Sequence, residues 1–236
     1  MRTLSFIFVL IIAAGVSAQS PAAKISFIHA TKLANSGAFE EARQSYRNAL
    51  KAAERANVNF RARLHYNLGV CEYRLNNNAN AIEEFRLAIA LKGGKYSRAF
   101  YATGMAETAR ENWPAARQAF LEALKLDRTD GKAWFDLAVA YLGEKDIAGA
   151  EAAFRNSIMY KSTDSALSHN NIGVILGWRG NLTAAEKEFE AALKLSDDTL
   201  LEARKNLAYC RAREHRHDSL LAKAEFEITG RTAVIF

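Results

Sequence analysis

The chain has 236 residues, half of them apolar, with 32 lysines and arginines against 26 acidic residues and a formal net charge of +6. That apolar content supplies a sizeable core and excludes a disordered chain. The basic surplus invites anionic partners but is too modest to identify one, and proline occurs only at Pro21 and Pro114, so an Ala-, Leu-, Glu-, Lys- and Arg-rich chain meets few helix breakers.

Residues 1–18 have the layout of a signal peptide: Arg2 at the start, an apolar run from Leu4 to Ala14, and Val16-Ser17-Ala18 ending on a small residue. The run is shorter than the roughly 20 apolar residues of a membrane span. Cleavage is expected after Ala18, leaving a mature chain that starts at Gln19, has no transmembrane segment and is periplasmic or extracellular. An uncleaved N-terminal anchor is the alternative. No cysteine follows the run, which excludes a lipoprotein anchor.

The next signal is a repeat. An alanine, an aromatic four residues later and a small residue three further on recur five times: Ala42-Tyr46-Ala49, Ala81-Phe85-Ala88, Ala116-Phe120-Ala123, Ala150-Phe154-Ser157 and Ala185-Phe189-Ala192. The first alanines are 34 to 39 residues apart. A second register recurs beside it, in Asn67-Leu68-Gly69, Ala102-Thr103-Gly104, Asp136-Leu137-Ala138, Asn171-Ile172-Gly173 and Asn206-Leu207-Ala208. Polar or glycine-containing stretches at Asn35-Ser36-Gly37, Asn76-Asn77-Asn78, Gly143 to Asp146 and Arg179-Gly180-Asn181 separate the two halves. Each unit therefore reads as helix, short turn, helix. One pair cannot bury its apolar stripe alone, so neighbours must stack.

These motifs resemble the tetratricopeptide repeat family, most fully in Trp134, Leu137, Ala138, Tyr141, Ala150 and Phe154. The resemblance covers residues 22–215 and lacks the family's usual proline at unit ends, where Lys92-Gly93-Gly94 and Asp197-Asp198 stand instead. It implies an all-α, right-handed solenoid of about five units, at about 23–61, 62–96, 97–130, 131–165 and 166–200, with a capping helix over 201–215. The wider first spacing predicts extra helix or loop around Asn57 to Arg61. Phe85 and its equivalents are expected to fill the gap between one pair and the next. Residues 216–236 read as a degenerate helix around Ala222 to Phe226 and a tail.

The resemblance also implies a concave face lined by the first helix of each unit. On it a basic residue precedes an aromatic by three positions, which places both on one helix face: Lys24 with Phe27, Arg63 with Tyr66, Arg98 with Tyr101, and Lys132 with Phe135. Val70, Met105 and Val139 follow one turn along, and Tyr73 and Arg74 one turn further. Such a strip would hold an acidic protein or peptide segment, guanidinium forking onto carboxylate. The opposing reading is that the rings are core. Trp178 is expected to pack on the following helix.

No catalytic constellation, phosphate-cradling glycine loop or His-Glu-x-x-His zinc pattern is present, and no cofactor is implied. His215 and His217 are two apart, which on a helix points them to different faces, so they make a poor metal pair. Cys71 and Cys210 lie four repeats apart, too far for a disulfide, and are expected as buried free thiols. Asn181-Leu182-Thr183 is a formal glycosylation sequon. The function expected is a non-catalytic interaction scaffold in the cell envelope. The alternatives are an accessory subunit of a membrane-associated complex and, against the export signal, an RNA-binding repeat protein.

Overall fold

The computed structural model describes residues 20–53 and 56–214. Among them are eleven helices and no strand: α1 (Pro21–Asn35), α2 (Phe39–Ala52), α3 (Val58–Arg74), α4 (Asn78–Leu91), α5 (Ser97–Thr108), α6 (Trp113–Leu126), α7 (Gly131–Gly143), α8 (Ile147–Met159), α9 (Ser165–Trp178), α10 (Leu182–Leu195) and α11 (Leu201–Glu214). Helices pack in consecutive pairs, α1 on α2 through α9 on α10, and each pair stacks on the next in a right-handed solenoid. The first helices also meet across pairs, α3 with α5, α5 with α7 and α9 with α11, which puts them on the inner side of the curve.

The starts and stops follow from local chemistry. Ser20 accepts from Ala23 N–H and Pro21 opens α1, where its missing donor would have had no partner. Asp130 accepts from the N–H groups of Lys132 and Ala133 to cap α7, and Asp146 accepts from Gly149 N–H to cap α8. Every first helix ends on one residue of positive φ at an equivalent place: Gly37 (83°), Asn76 (60°), Glu111 (57°), Lys145 (62°) and Gly180 (80°). This left-handed cap lets the next N–H turn back to the helix, as Asn77 N–H does to Glu72 carbonyl at 2.8 Å and Asn112 N–H to Glu107 carbonyl at 3.0 Å. The turn at Glu111-Asn112 carries no glycine or asparagine run of the kind that marks the others.

The extra residues after Ala42 extend α3, which begins at Val58, before the boundary expected at residue 62. The added turn buries Phe60 against Phe27 of α1, ring centroids 5.5 Å apart. The repeating aromatics share core clusters with the following pair, as Phe85 does with Ala106 of α5 and Phe189 with Ala203 and Leu207 of α11. Each sits on the small residue of its own pair's first helix: a Cβ at Gly69 would lie 2.6 Å from the Phe85 ring, one at Gly104 2.5 Å from Phe120 and one at Gly173 2.6 Å from Phe189. Removing the side chain lets two helix backbones close around a ring.

Candidate partner-binding face

The first helices present their inner-face residues in two different ways along the array. In the first three pairs Phe27, Thr31, Tyr66, Val70, Tyr73, Tyr101 and Met105 are half-buried, and Lys24, Arg63, Arg74 and Arg98 are exposed. In the fourth and fifth pairs the same register is closed. Phe135 is 0% exposed and Val139 5%, and Leu142, Asn170 and Val174 are buried too. Phe135 and Val139 are core, not groove residues as expected: Phe135 packs at a tilt against Phe154, ring centroids 5.5 Å apart, inside the central cluster. Tyr101 is engaged inward as well, its hydroxyl donating to Asp136 of α7 at 2.6 Å and its ring meeting Phe120 at 5.7 Å. That bond pulls α5 and α7 together where the face closes. Lys132 stays exposed at the start of α7, beyond the closed part.

The open part has a definite centre between the second and third pairs. Tyr66 lies 5.8 Å from the Phe85 ring on one side and 5.3 Å from Tyr96, the residue before α5, on the other. Burial pushes both phenols above their ordinary value, with the charge of Arg98 acting the other way on each and Arg63 also on Tyr96. Arg63 covers the Phe27 ring at 5.0 Å. Lys92 approaches the Tyr96 ring at 5.9 Å and donates to Asn59. Tyr96 and Lys92 escape the basic-aromatic pattern because they sit between helices, outside the helical register that selects the others. Arg74 is displaced from this centre: it lies over the Phe39 ring at 4.7 Å, at the turn end of the first pair.

Many arginines away from this face have carboxylate partners. Arg43 and Arg47 pair with the buried Glu72, Arg117 with Glu144, Arg155 with Glu151 and Glu188, Arg179 with Glu151, and Arg211 with Glu186 and Glu190. Arg63 and Arg98 have no carboxylate among the described residues. Trp178 is half-buried against the clusters on both sides of α9. Cys71 and Cys210 are both buried. Among the described residues no group of three or more His, Cys, Asp or Glu converges, and no helix is long and apolar enough to cross a membrane. His215 and His217, the leader of residues 1–18 and the segment 216–236 lie outside the described residues.

Comparison with known proteins gives one consistent fold. The tetratricopeptide repeat pattern matches residues 29–97 and 101–161. No curated protein matches the sequence. Among solved structures, the chain is similar to residues 41 to the end of MamA from Desulfovibrio magneticus RS-1, with a TM-score of 0.68 and 16% identity over 78% of this chain and 99% of that one. It is also similar to a tetratricopeptide repeat protein from Parabacteroides merdae ATCC 43184, with a TM-score of 0.68 and 17% identity over 81% of this chain and 74% of that one. YrrB, described as a TPR protein with an unusual peptide-binding site, shares 21% identity over 76% of this chain and 90% of that one, with a TM-score of 0.62.

Proposed function

Because the chain belongs to the tetratricopeptide repeat family, whose members are generally non-catalytic scaffolds, we propose that it holds a protein or peptide segment on the open face of its first three pairs, and that the segment is acidic. The observation that carries this reading is the pair Arg63 and Arg98. They flank two half-buried tyrosines and lack carboxylates, while most arginines elsewhere are neutralised within the fold. Guanidinium forks beside aromatic rings, once a partner covers them, are the combination that concentrates binding energy at protein interfaces. A peptide-binding site described for YrrB, on a similar fold, supports the reading by analogy.

The test is titration of the protein with an array of acidic peptides that contain aromatic residues. The double variant Arg63→Ala and Arg98→Ala loses at least tenfold in affinity at unchanged helical content, and the wild-type affinity falls as salt is raised. Equal affinity of wild type and variant ends the proposal. Phe135→Ala serves as the contrast, because it unsettles the core rather than the face.

Export is part of the same proposal and rests on the leader pattern of residues 1–18. The mature protein then begins at Gln19, which N-terminal sequencing checks. An accessory subunit of a membrane-associated complex would use the same face and differ only in its partner, which crosslinking in the native envelope would identify.

A further inference from the structure

Helix α11 is a first helix on which no second helix packs among the described residues. Ala203, Asn206, Leu207 and Cys210 are buried toward α9 and α10. The other side, with Arg204, Ala208, Arg211 and Ala212, is exposed. In the complete pairs the register of Ala208 is never open: Gly69, Gly104 and Gly173 lie under Phe85, Phe120 and Phe189, and Ala138 is fully buried in the cluster that holds Phe154. The register of Arg204 is also occupied in two pairs, where His65 and His169 each meet the glutamate just before the ring, Glu84 and Glu188, at 2.7 Å.

The sequence after Glu214 contains the missing complement. Second helices follow one pattern: a capping residue, an alanine four later and an aromatic four beyond that, as in Asn77-Ala81-Phe85, Asp146-Ala150-Phe154 and Asn181-Ala185-Phe189. Asp218-Ala222-Phe226 repeats it, with Glu225 directly before the aromatic and the small Thr229 three beyond. The connection from Ala208 to Phe226 is two residues longer than that from Gly173 to Phe189, a length a surface turn absorbs at small entropic cost.

We propose that the exposed side of α11 is the docking surface for residues 218–229 of the same chain, with Phe226 over Ala208 and Glu225 facing Arg204. Charge and shape both select this occupant. The bare small residue accepts a ring, and the exposed cation accepts the glutamate that accompanies it. Docking completes a sixth pair and covers this side of α11, so that a second copy cannot stack there.

Paired cysteines test the contact in the full chain. In the second pair a Cβ at Gly69 lies 3.2 Å from the Ala81 carbonyl oxygen, so Ala208→Cys and Ala222→Cys come within disulfide reach if the sixth pair forms. Mild oxidation is expected to give a monomeric crosslinked species on a non-reducing gel, absent from either single variant and reduced at least fivefold when Phe226→Asp is added. Absence of the crosslink overturns the proposal. So does a crosslink formed only between two chains, which would assign the surface to a second copy, or one indifferent to Phe226→Asp, which would reflect tethered collision. Amide exchange supplies an independent reading: a chain stopped after His217 exchanges at least tenfold faster in α11, and an unchanged rate counts against docking.

Discussion

The contact that recurs most faithfully is a ring on a residue with little or no side chain. At Gly69 an added Cβ meets Phe85 at 2.6 Å, so one of the two must move. Ala138 shows what is tolerated, since it fills the same register and is fully buried with Phe154 nearby. Gly69→Ala is therefore expected to leave stability within about 0.5 kcal/mol of wild type, the ring shift offsetting a helix-propensity gain of about 1 kcal/mol. Gly69→Val adds two methyl groups with nowhere to go and is expected to destabilise by about 1–3 kcal/mol in urea unfolding. Cys71 provides a second check at this scale. Burial, with the Glu72 charge beside it, pushes its thiol up to about 11. Folded protein labelled with an uncharged alkylating agent between pH 7 and pH 9 is expected to leave Cys71 unmodified, whereas denatured protein reacts across the same range. Fast labelling in the fold would show that the first and second pairs open readily.

At the scale of the helix pair, the turn is as constant as the ring. All five pairs place one residue in the left-handed region after the first helix, but only Gly37 and Gly180 adopt it freely. Asn76, Glu111 and Lys145 hold it against a steric penalty of about 1–2 kcal/mol for an ordinary L-residue, smaller for asparagine. Lys145→Gly is expected to stabilise the fold by up to about 1 kcal/mol, the relief of strain exceeding the added entropy of the unfolded chain, read as a higher urea midpoint. The second and third pairs brace this turn with a buried carboxylate: Asn77 donates to Glu72 at 2.9 Å and Asn112 to Glu107 at 3.1 Å. These pairs contribute the centre of the open face.

At the scale of the array, ion pairs tie one unit to the next. Arg117 of α6 meets Glu144 after α7, and one unit later the charges are exchanged, with Glu151 of α8 meeting Arg179 after α9. Desolvation raises the Glu151 carboxyl, but hydrogen bonds from Arg155 and Arg179 outweigh it and hold it below its ordinary value. A carboxyl lowered on folding contributes stability that is complete above the ordinary glutamate range and is lost as pH falls through the lowered value. The stability gap between wild type and Glu151→Gln is expected to be widest at neutral pH and to shrink below about pH 4, as thermal unfolding of both would show. A constant gap would mean that the pair is screened by solvent.

The helices, their pairing and the repeat family were legible in the linear sequence because each depends on residues no more than one unit apart: Ala81 and Phe85 on one helix, Gly69 beneath them on the previous one. Basic and aromatic residues on the inner register were legible for the same reason. Which of them face solvent was not, because that depends on how closely successive first helices converge. Phe135 is sealed inside the central cluster with Phe154, although its spacing from Lys132 matches that of Tyr66 from Arg63. Identical local patterns thus lie open in the second pair and sealed in the fourth, since periodicity determines the side of a helix on which a residue lies and the curvature of the stack decides whether water, or a partner, can reach it.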